Sequence, residues 1–255
     1  MTSALTYELA DGGVAWLTIN VPDKRNALTE QVRQAMFAAV AAFNADDSAK
    51  VLVVTGAGDR AFCAGGDLAE LSAARPGVPP ADYMPQFGRN IEVRKPTIAA
   101  VNGVAMGAGF LLAQCCDLCL AADSALFGIP EAKVGRAAPW AAPLVLQMPP
   151  RIAMQLLLTG APITAQRAYD IGLVNEVVPA SQLRARTQSV ARVIAANAPL
   201  TVRTAKAMVR QVSEYAAQHL AGEVKELWRP VYESQDAIEG PTAFMEKRAP
   251  VWRGR

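Results

Sequence analysis

Ala61-Phe62-Cys63-Ala64-Gly65-Gly66-Asp67-Leu68 and Asn102-Gly103-Val104-Ala105-Met106-Gly107-Ala108-Gly109 are the two stretches on which the reading of the fold rests. Each comes after a short apolar run that reads as a buried strand, Val51–Val54 in the first case and Thr97–Val101 in the second. Each leads into a helical pattern, from about Asp67 to Ala74 and from Gly107 to just before Asp117. Glycine permits positive φ and close approach of backbone to a ligand. A helix start leaves N–H groups unpaired and carries the positive end of the helix dipole. Two such turns can aim two N–H groups at one developing oxyanion. Taken singly, each turn serves tight strand–helix packing equally well, so the pair carries the functional signal.

Outward from these turns, strand and helix patterns alternate. Tyr7–Leu9 and Val14–Ile19 flank Asp11-Gly12-Gly13 and predict a β-hairpin. Thr29 caps a predicted helix whose apolar face is Val32, Met36, Val40 and Phe43. Leu118–Ala121 is another strand. This order predicts an α/β fold with a largely parallel sheet and right-handed crossovers. After about residue 140 the texture turns helical, over Ala141–Gln147, Ile152–Leu158, Ala165–Ile171, Ser181–Ala196 and Thr201–Leu220, with one strand at Leu173–Val178. An α/β core over residues 1–190 and a helical C-terminal region over 191–255 are expected. Pro76, Gly77, Pro79, Pro80 and Pro85 predict a mobile loop over residues 75–86.

The 255 residues are 52% apolar and 19% charged, enough to fill one large core. A net charge of +2 gives no reason to expect nucleic acid or an anionic membrane as partner. The N-terminal MTSALTYELADGG has neither the basic region nor the apolar run of a secretory signal, and a cytoplasmic location is expected. Cys115, Cys116 and Cys119 have no fourth ligand nearby and the only histidine is His219, so buried reduced thiols are expected and no metal. Residues 97–122 are long enough to span a bilayer, but Asn102, Gln114 and Asp117 interrupt them and no aromatic or basic flank appears. Gly56-Ala57-Gly58-Asp59-Arg60-Ala61 imitates a dinucleotide-binding turn, yet Cys63-Ala64-Gly65-Gly66 follows at once and leaves no room for the helix such a turn opens.

The two glycine turns together closely resemble the signature turns of the enoyl-CoA hydratase/isomerase (crotonase) family. The resemblance extends along the chain. It begins at Ile19-Asn20-Val21-Pro22-Asp23-Lys24-Arg25-Asn26-Ala27-Leu28 and continues through Phe127-Gly128-Ile129-Pro130-Glu131-Ala132-Lys133-Val134-Gly135, Leu158-Thr159-Gly160 and Gly172-Leu173-Val174-Asn175. It ends with Glu239-Gly240-Pro241-Thr242-Ala243-Phe244-Met245-Glu246-Lys247-Arg248. It implies a spiral of ββα repeats, a helical C-terminal trimerisation region, and assembly as a homotrimer or hexamer. It implies an acyl-CoA substrate and no cofactor, coenzyme A being part of that substrate. It implies an oxyanion hole from the N–H groups of Gly66 and Gly107. Lys24, Arg25 and Ala27 match the segment that meets the CoA phosphates and adenine, and Ala64, Gly66 and Leu68 the main chain beside adenine and pantetheine. Phe244 and Lys247 match a pair that reaches the CoA of a neighbouring subunit. Read without the motif, Lys24, Arg25 and Lys247 are ordinary solvated charges.

Hydratases of the family use two glutamates. The first position, four residues after Gly107, is Leu111 here, and the second is kept as Glu131. The further acidic position used by the dehalogenase and dienoyl-CoA isomerase branches is Pro139. One carboxylate suits the movement of one proton, as in the family's monofunctional isomerases, where it takes a proton from C2 and returns it at C4. In an apolar pocket that carboxyl should have a raised pKa. The bland reading of Glu131 is a surface ion pair with Lys133 or Arg136. Trp140 stands where hydratases carry a glycine-rich segment and is expected to narrow or reshape the acyl pocket. The tail Ser234–Pro241 resembles that of the family's carnitinyl-CoA dehydratases, but Leu111 weighs more because it bears on the chemistry. The expected reaction is hydration or double-bond isomerisation of an enoyl-CoA by a single glutamate. The alternatives are an acyl-CoA lyase or decarboxylase using the same hole, and a non-catalytic acyl-CoA binder.

Overall fold

A computed structural model describes residues 3–73, 77–80 and 82–254 of the chain. In chain order its strands are β1 (Leu5–Ala10), β2 (Val14–Ile19), β3 (Val51–Gly56), β4 (Ala61–Cys63), β5 (Thr97–Val101), β6 (Val104–Met106), β7 (Leu118–Ala122), β8 (Leu126–Gly128), β9 (Ile163–Thr164) and β10 (Glu176–Val178). Its α-helices are α1 (Glu30–Ala45), α2 (Leu68–Ala73), α3 (Ala108–Cys115), α4 (Pro150–Thr159), α5 (Ala165–Asp170), α6 (Leu183–Ala196), α7 (Pro199–Glu233) and α8 (Asp236–Met245).

The strands form two sheets. The first runs β1-β2-β3-β5-β7-β10, antiparallel across the β1–β2 hairpin and parallel thereafter. The second runs β4-β6-β8-β9, parallel up to the last pair. The chain adds to both sheets in step. β3–β4–α2, β5–β6–α3 and β7–β8 followed by a 3-10 turn at Pro130–Val134 are three successive windings. Each lays one strand in the first sheet and the next in the second. This is the spiral of ββα repeats that the resemblance implied.

The core follows from the apolar runs. Val51–Val54 are wholly buried, as a parallel strand covered on both faces must be. α1 starts at Thr29, whose hydroxyl accepts from the Val32 N–H at 3.3 Å, and buries Val32, Met36, Val40 and Phe43. α6 buries Leu183, Thr187, Ala191 and Ala195, one per helical turn, and lies across β2, β3, β5 and β7. The boundary expected at residue 190 therefore falls inside a helix that belongs to the core, and the helical C-terminal part consists of α7 and α8. Of the loop expected over 75–86, residues 75, 76 and 81 lie outside the described residues, as does Ala74 at the end of the helix predicted from Asp67.

The apolar stretch 97–122 is accounted for by β5, β6, α3 and β7. Its charge, Asp117, accepts from the Thr97 N–H and hydroxyl and pairs with Lys206 at 2.8 Å and Arg210 at 2.9 Å, tying α7 to the sheet. Among the described residues no helix is long and apolar enough to cross a membrane. The four cysteines are free thiols, and burial pushes Cys63 and Cys119 up to about 12. After Gly56 the chain forms β4 rather than a helix, as expected from the Cys63–Gly66 run.

Candidate active site

The first turn is built by two backbone clasps and one buried side-chain amide. The Leu28 N–H donates to the Gly65 carbonyl at 2.8 Å, the Ala64 N–H to the Arg25 carbonyl at 3.0 Å, and Asn26 sits fully buried beneath them. The Asn26 amide donates to the carbonyls of Ala57 and Ala61 at 3.0 and 2.7 Å, and its oxygen accepts from the Val21 N–H. Arg25 and Asn26 both adopt left-handed backbone, φ 52 and 55, which folds the 21–28 loop onto the turn. Lys24, Arg25 and buried Ala27 are thereby set beside Ala64, Gly66 and Leu68. Asn102 does the same work from the second turn, donating to the carbonyls of Gly56 and Gly58. A Cβ placed on Gly65 would lie 2.9 Å from the Met106 carbonyl oxygen and 3.5 Å from the Ala108 nitrogen, so the two turns abut.

The two turns do not offer the same atom. The Gly66 N–H has no partner among the described residues. The Gly107 N–H, expected to be the second donor, is already given to the Gly128 carbonyl at 3.0 Å. This corrects the expectation. Gly107 is the cap residue of α3, and the first helical residue is Ala108, whose N–H has no partner among the described residues. Gly107 has a different task. Its φ of 53 with ψ of −121 is open only to glycine, and a Cβ there would lie 3.1 Å from Glu131 Oε1. The missing side chain makes room for the carboxyl group.

Glu131 stands on the 3-10 turn after β8. The residue is half-buried, but its Oε2 is shut away from solvent without a hydrogen-bond partner. Its Oε1 accepts from Trp140 Nε1 at 3.2 Å. Burial pushes the Glu131 carboxyl up to about 7, against smaller lowering by its own N–H and by the Trp140 indole. The Trp140 ring that holds it packs edge to face on Phe110, and Phe110 on Phe127, with centroids 6.3 and 5.7 Å apart. Leu111 is buried at the first glutamate position. The surface ion pair with Lys133 or Arg136 does not form; the indole takes its place.

The other carboxylate near the turn is committed. Asp67 bonds Lys24 Nζ at 2.7 Å and accepts from the N–H groups of Ala69 and Glu70 at the start of α2. Burial raises its pKa, but these three donors outweigh that and hold it below the ordinary carboxylate range. Lys24 is thus half spent, while the exposed Arg25 guanidinium has no ion-pair partner among the described residues. Met84 covers the site: its methyl would lie 2.9 Å from a Cβ on Gly66. α8 packs on the α2 and Pro130–Val134 segments of its own chain, and carries Phe244, 59% exposed, with Lys247 exposed just beyond it.

Sequence reasoning missed Ala108, Asn26, Asn102 and Met84. The sequence pattern starts α3 at Gly107, one residue before its first helical residue. The two asparagines stood inside the quoted motifs, where their buried amides leave no composition signal.

The family model for enoyl-CoA hydratase/isomerase matches residues 10–255. The carnitinyl-CoA dehydratase of Proteus mirabilis is 37% identical over 254 residues, covering 96% of each chain. Among solved structures, a carnitinyl-CoA hydratase from Mycobacterium avium is 39% identical, covers 100% of both chains and superposes with a TM-score of 0.84. An enoyl-CoA hydratase from Mycobacterium tuberculosis is 33% identical, with a TM-score of 0.78 over 87% of this chain and 96% of that one.

Proposed function

The chain belongs to the enoyl-CoA hydratase/isomerase family of enzymes, and we propose that it moves a proton at the α-carbon of an acyl-CoA thioester with Glu131 as the single acid–base. The reading rests above all on Glu131 Oε2, a buried carboxylate oxygen held beside the turn of Ala108, neither that oxygen nor the Ala108 N–H having a partner among the described residues. A protein keeps such a group unpaired at a cost, and a reacting proton offsets it.

In the proposed step the Glu131 carboxylate removes a proton from C2. The C–H electron pair becomes the C1–C2 double bond of an enolate, and the carbonyl pair moves to the thioester oxygen. The N–H groups of Gly66 and Ala108 hold that oxygen; one such donor is worth about 3 kcal/mol of transition-state stabilisation. Return of the proton to C4 of an enoyl substrate shifts the double bond. Addition of water to a 2-enoyl substrate, with the proton delivered to C2, hydrates it; the reverse is the dehydration in the relatives' names. The pKa near 7 lets one group serve as base and then as acid. Buried Leu111 and the committed Asp67 favour the one-proton isomerisation.

Arg25, which has no ion-pair partner among the described residues, meets the CoA phosphates, with Ala27, Ala64 and Leu68 along the adenine and pantetheine. Phe244 on α8 and Lys247 just beyond its end, both exposed, reach the CoA held by a neighbouring subunit. Exposed Leu200, Met208, Val209, Val212 and Leu227 on α7 support assembly into trimers or hexamers.

The test is isotope exchange. Butyryl-CoA and crotonyl-CoA are incubated in deuterated water with the protein and with Glu131→Gln, and deuterium uptake, hydration and isomerisation are followed by mass spectrometry. Turnover or exchange that vanishes in the variant is expected. Tight CoA binding with exchange in neither protein, across a range of acyl-CoA substrates, contradicts the catalytic reading and favours a binder.

A further inference from the structure

Glu131 stands on a 3-10 turn, Pro130–Val134. Such a turn is held by poorer hydrogen bonds than an α-helix, so its position depends on what packs against it. The Glu131 carbonyl accepts from the N–H groups of Gly135 and Arg136, so a movement of Gly135 is a movement of Glu131. Gly135 is left-handed, with φ of 59. A Cβ there would run into the Asp236 carbonyl and lie 3.1 Å from Trp252 Cζ3. One residue earlier the Val134 carbonyl abuts Gly240, where a Cβ would collide with it. The start of α8 and the indole of Trp252 therefore close directly on the backbone behind the base.

Trp252 lies outside every helix and strand and is 44% exposed. It meets Gly135 because two carboxylates hold the tail around it. Asp236 Oδ1 accepts from the Arg253 N–H at 2.8 Å, and Oδ2 from the Gly254 N–H at 2.9 Å. Glu239 Oε1 accepts from the Val251 N–H at 2.7 Å, and the same carboxylate grips Arg248 at 2.6 and 2.9 Å. Both acids sit in the first turn of α8, where the helix dipole favours them. Arg248 first, and then the Val251 N–H, pull Glu239 down to about 2, so this grip is ionised at every pH at which exchange is measured. A ring laid on a glycine gains little apolar area. The contact is better explained by what it does to the turn than by burial of the indole.

We infer that Trp252 is a positioning residue: the strap of residues 248–254 presses its indole onto Gly135 and holds the Glu131 turn so that the carboxyl stays shut from water. The inference rests on Glu131 being the base, as proposed above. Loosening the turn lets water reach Oε2, which has no partner among the described residues. The burial that pushes the carboxyl up then weakens, and its pKa falls toward the ordinary range. The Trp140 indole, the Tyr232 phenol of α7 and, on its own turn, Lys133 and Arg136 surround the same carboxyl and stay in place in the variants below.

The test uses the full chain as wild type, Trp252→Ala, Trp252→Phe and Asp236→Ala, with a melting curve for each. α-Exchange of butyryl-CoA is followed against pH. Trp252→Ala is expected to lose about 30-fold in plateau rate, within the ~100-fold that a misplacement of about 1 Å can cost. KM should stay within about threefold, and the limb should move about one pH unit lower. Trp252→Phe should recover most of the rate and the limb. Asp236→Ala keeps the ring but frees the tail, and should move both in the same direction by less. A folded Trp252→Ala protein with the wild-type rate and limb overturns the inference. A lower melting temperature with an unchanged limb does so too, since it leaves Trp252 a packing residue only. The ionisation of Glu131 is read separately, as the carboxyl infrared stretch that Glu131→Gln removes. If no protein exchanges but this ionisation moves to lower pH in Trp252→Ala, the base reading falls and the strap stands. If the wild type exchanges and the ionisation stays where it was in Trp252→Ala, the strap falls and the base reading stands.

Discussion

Among the described residues, the first glycine turn leaves the N–H of the residue after Gly65 without a partner, while in the second the Gly107 N–H is consumed by Gly128 and the next residue's is left open. The turns read alike in sequence because both need glycine, but they need it for different reasons. At Gly65, φ of 100 and contact with the Met106 carbonyl bring the two turns together. At Gly107, a glycine-only backbone clears the space into which Glu131 points. One glycine joins the donors; the other seats the base.

The largest effect should come from the base itself. Glu131→Gln keeps the shape of the side chain and removes the proton acceptor, so α-exchange should fall by about 1000-fold, read by mass spectrometry in deuterated water. Gly107→Ala should lose both stability and rate. Its backbone is closed to alanine, which costs about 1–3 kcal/mol by thermal or denaturant unfolding, and its methyl displaces the Glu131 carboxyl. If Gly107→Ala were as stable and active as the wild type, the distinction between the two turns would fail.

The pH behaviour should follow from Glu131. As a base it must be ionised, so exchange should rise through a limb near pH 7. The native carboxyl holds its proton to about 7, against an ordinary 4.5 for a glutamate in the unfolded chain. The native state therefore binds more protons than the unfolded one across that window, and wild-type stability falls as pH rises through it. Glu131→Gln lacks this loss. Its stability relative to wild type should improve by about 3 kcal/mol between pH 4 and pH 8 in denaturant melts. A constant difference contradicts the burial of the carboxylate. The smallest effect belongs to Trp140→Phe, which removes the indole N–H that favours the ionised form. The activity limb should move to higher pH, with the plateau rate largely kept.

Much of this was legible in the sequence, for identifiable reasons. α1 has an unambiguous cap at Thr29 and four apolar residues at helical spacing. β3 and β5 are short apolar runs bounded by turn residues. The second sheet left no pattern of its own, because β4, β6 and β8 are three residues each, too short to show a period of two. They form because the first sheet delivers them in register. Glu131 was visible through its motif, but its indole partner was not: Trp140 reaches back across nine residues, through a left-handed Gly135 and a 3-10 turn, a path no periodicity encodes. Ala108 was hidden by a one-residue difference in where α3 begins. An alanine carries no chemical mark when only its backbone acts.

That difference also supplies the most direct measurement. Proline is tolerated at the first position of a helix and lacks the N–H. In Ala108→Pro the fold should stand while the second oxyanion donor disappears. Measured by α-proton exchange beside the wild type, with a melting curve for each protein, the account predicts a loss of about 100-fold or more at nearly unchanged stability. Exchange at the wild-type rate in a folded Ala108→Pro protein would contradict it, and would return the role to another donor.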